Sequence, residues 1–257
     1  MKIVVLVKEV PDTYGERTLS LETGLAERAA GEAVLDEICE RALEVALSQA
    51  SAEPAEVVVL AAGPEGATAS IRKALAMGAD RAIHIVDDGL RGADIGLTAE
   101  ALAAALREEA PDLVLAGNQS TDGASGMLPA MLAELLGLPL LGGLGAVEVT
   151  AERAKGTRAA DGLTEEVTAT LPAVITVTEQ LPEARFPNFK GIMAAKKKPL
   201  RVRSLAELGV DGDPSLAPRT IMLDISERPA RDAGVRVVDD GTAVAQLIEF
   251  LTANRLV

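Results

Sequence analysis

The stretch 113–129, LVLAGNQSTDGASGMLP, holds the residues of this chain best suited to chemistry, and the chemistry they suit is the cradling of a phosphate. An apolar run passes into a glycine- and hydroxyl-rich turn and then into a helical pattern. Gly117, Gly123 and Gly126 permit close backbone approach, while amides at the following helix N-terminus offer unsatisfied donors and a favourable dipole end. Ser120, Thr121 and Ser125 add hydroxyl donors. The Gly-Lys-Ser/Thr ending of a Walker A loop is absent, and no clean G-x-G-x-x-G fingerprint is present. The competing reading is an ordinary strand-to-helix turn with a capped helix. Two other loops lean the same way: Ala61, Ala62, Gly63 and Pro64 follow one apolar run, and Lys8, Glu9, Val10, Pro11 and Asp12 follow the first. Three loops would then converge on one ligand, although small residues also simply make tight turns.

Bond-making constellations are missing. His84 is the sole histidine and sits in a strand-like run, so no His-based triad or multi-His metal site can be built, and a hydrogen-bonded structural role is expected. Cys39, the one cysteine, lies in a helical pattern and reads as a buried, inert thiol; Asp87 and Asp88 read as a solvated loop. Chemistry must come from a bound cofactor or a partner, or not occur here.

A second cluster points to recognition. In LPAVITVTEQLPEARFPNFKGIMAAKKKPL, residues 171–200, Phe186 and Phe189 lie close together and near the chain's one Lys-Lys-Lys run, Lys196, Lys197 and Lys198. An aromatic anchor beside cations suits a docking patch, because ring burial supplies affinity and rim charge steers the encounter. The alternative is a core-plugging loop with a solvated charge run.

The elements that must position these residues follow from periodicity. Runs at 2–7, 57–61, 82–86 and 112–116 read as buried parallel strands, and helical patterns at 32–50, 68–77, 98–109 and 126–136 alternate with them. The fold class is therefore α/β: a doubly wound, mostly parallel, Rossmann-like sheet with a crevice at the carboxyl ends of its strands. After Pro139, shorter strands are expected at 145–150, 153–160, 165–170 and 173–178, with Asp161-Gly162 marking a hairpin turn and the last strand returning to the main sheet. We place one domain at 1–200 and a C-terminal arm at 201–257, the arm holding a short helix at 204–208, a stretch marked by Pro214, Pro218 and Pro229, apolar Ile221, Met222, Leu223 and Ile225, and a last helix at 242–253. Such an arm is too thin to own a core and is expected to pack on the main domain or another chain.

Composition narrows the classes. At 257 residues a substantial core is affordable, and a lone cysteine excludes an intrachain disulfide and fits a reduced setting. A formal charge of −14 argues against nucleic acid as a partner. Neither a signal peptide nor a transmembrane run of apolar residues is visible, so a soluble, cytoplasmic protein is expected.

Taken together, VLVKEVPDT (5–13), AAGPEGATASIRKALAMGADRAIHI (61–85), LVLAGNQSTDGASGMLPAMLAELLGLP (113–139) and the 171–200 stretch resemble the beta subunits of electron transfer flavoproteins over nearly the whole chain. The resemblance implies a heterodimer with an alpha subunit that carries electrons from flavin dehydrogenases of the acyl-CoA dehydrogenase type to a downstream quinone-linked oxidoreductase. It implies an electron carrier without catalytic residues of its own. FAD would be held mainly by the alpha subunit, and a structural AMP by this chain. Carried over position by position, the AMP site would involve Leu6, Ala33, Val34, Leu35, Asp36, Ala62, and Gly117, Asn118, Gln119, Ser120, Thr121, Asp122, Gly123, Ala124, Ser125, Gly126, Met127 and Leu128.

The family's recognition loop corresponds to about 177–199, with Phe189 at the anchoring position; Phe186, Ile192, Met193, Lys196, Lys197 and Lys198 would surround it. The family's Asn-Pro-aromatic-Asp/Cys-Glu motif reads Ala33-Val34-Leu35-Asp36-Glu37 here, which removes the aromatic contact to the flavin; Thr13 aligns with another flavin-approaching position, and Tyr14 is a substitute aromatic. Two alternatives stand beside the carrier: a bifurcating beta subunit with a second FAD that oxidises NADH, and a stand-alone adenine-nucleotide-binding regulatory domain.

Overall fold

Short runs of Val, Ile and Leu that are apolar on both faces can be satisfied only in the middle of a covered parallel sheet, and they build one here. The computed structural model describes residues 1–15, 17–28, 31–211, 220, 222–231 and 233–257. Along the chain lie β1 (Lys2–Leu6), β2 (Glu9–Pro11), β3 (Ala33–Leu35), α1 (Glu37–Ala52), β4 (Glu56–Ala62), α2 (Thr68–Met77), β5 (Arg81–Ile85), α3 (Ile95–Glu109) and β6 (Leu113–Gly117). They are followed by α4 (Leu128–Leu136), β7 (Leu140–Leu144), β8 (Ala146–Val149), β9 (Arg153–Ala160), β10 (Leu163–Thr170), β11 (Ala173–Val177), α5 (Phe189–Ala195), β12 (Leu200–Arg203) and α6 (Ala243–Ala253).

Seven strands form the main sheet in the order β12-β5-β4-β1-β6-β11-β7, and every neighbouring pair is parallel. Alternation within each strand sorts the core into two layers. Ile3, Val5, Val57, Val59, Leu113 and Leu115 face α1 and α2, where Leu43, Leu47, Ile71 and Leu75 cover them. Val4, Leu6, Val58, Leu60 and Val114 face α3 and α4, covered by Leu102, Leu106 and Leu132. The chain turns from β1 toward β4 on one side and reaches β6 on the other, so the carboxyl end of β1 lies at the switch point where such sheets bind ligands.

The α/β reading and the return of β11 to the main sheet hold. The Asp161-Gly162 turn, with both residues at positive φ, joins β9 to β10 in a separate three-stranded antiparallel sheet with β8. Three expectations are corrected. The helix expected from 32 begins only at Glu37: Ala33–Leu35 instead pairs antiparallel with β2, and Asp36, non-helical in backbone, caps the helix by accepting the Ile38 amide. The loop at 177–199 contains α5, started by Asn188, whose side chain accepts the Gly191 amide at 2.8 Å. The helix expected at 204–208 is a single 3-10 turn, Ala206–Leu208. Strands β7 and β12, at the two sheet edges, were not anticipated.

The chain divides into two units, Met1–Leu223 and Asp224–Val257. The second contains α6, none of whose residues is buried. Pro214, Pro218 and Ile221 lie outside the described residues. Among the described residues, no helix is long and apolar enough to cross a membrane.

Candidate functional site

The glycine- and hydroxyl-rich turn after β6 is built by two carboxylates working from opposite sides. Asp36 is fully buried. Its Oδ1 accepts the Ile38 amide at 2.9 Å, and its Oδ2 accepts the Thr121 amide at 2.7 Å and the Thr121 hydroxyl at 3.0 Å. One side chain therefore fixes both the start of α1 and the turn. A Cβ on Gly117 would lie 2.9 Å from Ile38 Cγ2, so a glycine is needed where the helix crosses the strand end.

Asp122 holds the other side. Its Oδ1 accepts Lys8 Nζ at 2.6 Å and the Gly123 amide at 2.6 Å, and its Oδ2 accepts Arg28 Nε at 3.1 Å and Nη2 at 2.9 Å. Burial by itself would raise this carboxyl. The hydrogen bond and charge of Lys8, with help from Ser120 and Arg28, outweigh that and hold it well below the usual carboxylate range. Lys8 also reaches Ser120 Oγ at 3.4 Å, and Arg17 donates from Nη1 to the Thr121 carbonyl. Past the turn, Ala124 and Gly126 take positive φ, and Gln119, Gly123, Ala124, Ser125, Gly126 and Met127 are exposed, offering a solvent-facing rim of backbone and hydroxyl.

Asn118 carries the unexplained atom of this site: its Oδ1 is buried and has no hydrogen-bond partner among the described residues. A buried acceptor left alone is costly, so a donor from a ligand would complete it. The structure thus draws Asp36, Asn118, Ser120, Thr121, Asp122 and Gly123 together. It places Leu6 in the core layer under α3 and α4, Ala62 half-buried at the end of β4, and Ala33 exposed in β3, with Val34 and Leu35 progressively more buried. Sequence reasoning took Lys8 only as part of a loop and passed over Arg17 and Arg28. No spacing marks these two arginines; only the approach of the segment between β2 and β3 reveals them.

The second face lies around α5. Phe186 is 84% and Phe189 80% exposed, and Ile192 and Met193 are exposed beside them, a concentration of apolar surface. A groove of about 570 Å³ runs next to it, lined by Ala69, Arg72, Lys73, Ala76, Pro187, Ile192, Ala195 and Lys196. The face is moored from beneath. Arg72 Nη1 donates to the carbonyls of Ala195 at 2.6 Å and Lys198 at 2.8 Å, and Arg185 forks onto Glu44 with both contacts at 2.8 Å. The three lysines divide by role. Lys196 and Lys197 are exposed, whereas Lys198 Nζ donates to the carbonyls of Leu75, Gly78 and Ala79 and so closes the C-terminus of α2.

Cys39 is buried, and burial pushes its thiol up to about 12, which fits the inert role expected of it. His84 departs from expectation. It is fully buried, yet neither ring nitrogen has a hydrogen-bond partner among the described residues. Among those residues, no group of three or more His, Cys, Asp or Glu side chains could hold a metal ion.

Comparison with known proteins gives these features a context. The family model described as the electron transfer flavoprotein domain matches residues 23–208. The electron transfer flavoprotein subunit beta of Mycobacterium tuberculosis (strain CDC 1551 / Oshkosh) is 48% identical, over 99% of each chain. The protein of the same name from Syntrophomonas wolfei is 38% identical, over 98% of this chain and 96% of that one. The mouse protein is 36% identical, over 76% of this chain and 75% of its own.

Proposed function

This chain belongs to the electron transfer flavoprotein beta-subunit family, and from that premise we propose that it serves as the scaffolding, nucleotide-holding and partner-recognising half of a heterodimeric electron carrier. Its partner is an alpha subunit. Electrons come from acyl-CoA dehydrogenase-like flavoenzymes and leave to a quinone-linked acceptor. The observation that carries this reading is likeness to a named beta subunit, 48% identical over 99% of each chain.

The residues of the turn suit AMP. Asn118 Oδ1 wants a donor, which an adenine amine or ribose hydroxyl provides, and the turn offers hydroxyls and the Lys8 ammonium to a phosphate. AMP is redox-inert, so its contribution would be to fill and stiffen the switch-point crevice. FAD, held mainly by the alpha subunit, would supply the electron transfer itself. On this chain Tyr14, fully exposed beyond β2, is the aromatic available near the position of Thr13.

Docking is assigned to the face around α5, with Phe189 as anchor and Phe186, Ile192, Met193, Lys196 and Lys197 around it. A Phe buries apolar area in a partner pocket while exposed lysines steer an acidic surface. Lys198 supports this face from below. The arm ending in α6, whose Val244, Leu247, Ile248 and Phe250 are exposed, is assigned to the alpha subunit.

Co-expression with the alpha subunit, co-purification and chromatography of released cofactors tests the assembly. One FAD and one AMP per heterodimer support the carrier. A second flavin in place of AMP supports the bifurcating alternative, and a stable lone monomer without flavin supports the regulatory one. Docking has its own test: Phe189→Ala should lower the rate of electron transfer from a cognate dehydrogenase by about tenfold or more, as loss of a buried aromatic anchor does at other interfaces. An unchanged rate with every candidate dehydrogenase would remove Phe189 from that role.

A further inference from the structure

Three cations meet at the turn after β6, and none of them is among the AMP-site positions carried over from the family resemblance. Lys8 follows β1, while Arg17 and Arg28 belong to the segment between β2 and β3. That segment doubles back on itself, with a bridge between Leu19 and Ala26 and a hydrogen bond from the Ser20 amide to the Leu25 carbonyl. Both of its arginines land on the same turn, Arg17 on the Thr121 carbonyl and Arg28 on the Asp122 carboxylate.

The charges do not cancel. Asp122 is the one carboxylate that Lys8 and Arg28 share, and Arg17 spends its contact on a neutral carbonyl. Counting Asp36 on the far side of the turn, whose oxygens are taken up by Ile38 and Thr121, the cluster still keeps a positive excess. The cations also have open sides. The side chain of Asp122 is 5% exposed, but those of Lys8 and Arg28 are 38% and 48% exposed. A Cβ on Gly123 would stand 3.4 Å from Ser120 Oγ and 4.0 Å from Lys8 Nζ, so the glycine leaves the space beside the ammonium clear.

We infer that Lys8, Arg17 and Arg28 form a clamp for the phosphate of the bound nucleotide, with Asp122 as its built-in counter-ion, so that the seat takes a nucleoside monophosphate in preference to the nucleoside. The inference rests on the proposed nucleotide reading of this turn and deepens it. Guanidinium forks and a lysine suit phosphate oxygens, and Asp122 holds two of the three cations in place beside them. Because Arg17 and Arg28 sit on the segment after β2, the phosphate also fastens that segment over the turn.

The test uses the full chain co-purified with its alpha-type partner, stripped of nucleotide by dialysis against charcoal and titrated with AMP and with adenosine. Arg28→Gln and Arg17→Gln are compared with the natural protein after thermal unfolding confirms that each is folded. Loss of a charged hydrogen bond predicts that each variant weakens AMP by about tenfold to a hundredfold. Adenosine affinity stays unchanged, and added salt weakens AMP alone. In a second readout, trypsin cleavage after Arg17 and Arg28 in the natural protein slows with AMP and not with adenosine. Equal weakening of both ligands, unchanged AMP binding in both variants, or cleavage indifferent to AMP would overturn the clamp while leaving the nucleotide reading intact. A natural protein that binds neither ligand would overturn both.

Discussion

His84 is the residue whose environment departs most from what its type needs. It is fully buried in β5, and among the described residues neither ring nitrogen has a well-formed hydrogen bond. Burial lowers its pKa below the ordinary 6.5; the approach of the Gly63 backbone, then the charges of Glu9 and Glu65, pull the other way and do not prevail. A depressed histidine makes the folded state bind fewer protons than the unfolded chain, so its contribution is constant above the unfolded value. Stability then falls as pH drops below about 6.5. Asp122 acts in the same sense only in the far more acidic range, below the ordinary carboxylate value, so the window from about pH 6.5 to about pH 5 reports chiefly on His84. Urea unfolding across that window should show a slope that His84→Leu flattens; an unaltered slope would locate the effect elsewhere. Asp36 is the opposite case, since every one of its bonds is satisfied. Asp36→Ala strips the cap of α1 and the anchor of Thr121 together, and should cost about 2–4 kcal/mol in the same assay. At this scale the sequence was legible wherever a residue type has one strong use: glycines and hydroxyls marked the turn, and Cys39 is buried as expected. It was not legible for Arg17 and Arg28, because a lone arginine acquires meaning only from what folding brings within its reach.

Elements divide along a similar line. The central strands were readable as unbroken apolar runs, because both of their faces are covered, and the amphipathic helices from periodicity, because their burial is encoded in every third and fourth residue. The short ones were not. Strands β2 and β3 are three residues each, and α5 is seven, too short to hold itself together without contacts from elsewhere. For α5 those contacts are specific. Its Gly191 lies so close to α2 that an added Cβ would stand 2.3 Å from the Ala76 carbonyl oxygen, and Arg72 of α2 binds the carbonyl of Ala195 at its end. Gly191→Ala must therefore push α5 away from α2, breaking the support under Phe189 and Ile192 without altering either side chain. It should lower both the midpoint of thermal unfolding and the rate of electron transfer from a partner dehydrogenase, whereas Phe189→Ala should lower only the rate. Calorimetry beside the transfer assay separates the two; a Gly191→Ala protein with an unchanged midpoint would mean that α5 does not depend on this close approach.

For the whole molecule, the division of labour between its two units decides what each can do alone. Both core layers are made by residues of Met1–Leu223, so that unit owns the hydrophobic burial needed to fold. Among the described residues, Asp224–Val257 contributes nothing to either core layer. It is shorter than the roughly 40 residues below which domains need outside help, and its helix leaves Val244 71%, Phe250 58%, and Leu247 and Ile248 each 56% exposed. An amphipathic helix with its apolar residues in water is a helix waiting for a groove. If the alpha subunit supplies that groove, a chain ending at Leu223 should unfold cooperatively at nearly the same temperature as the full chain but fail to co-purify with the alpha subunit. Restoring the segment with Leu247→Glu and Phe250→Glu should restore the length without restoring the pairing, since a charge placed in an apolar groove is penalised far more than a missing contact. Retention of the alpha subunit by the shortened chain would assign the heterodimer contact to the first unit and leave α6 for another partner.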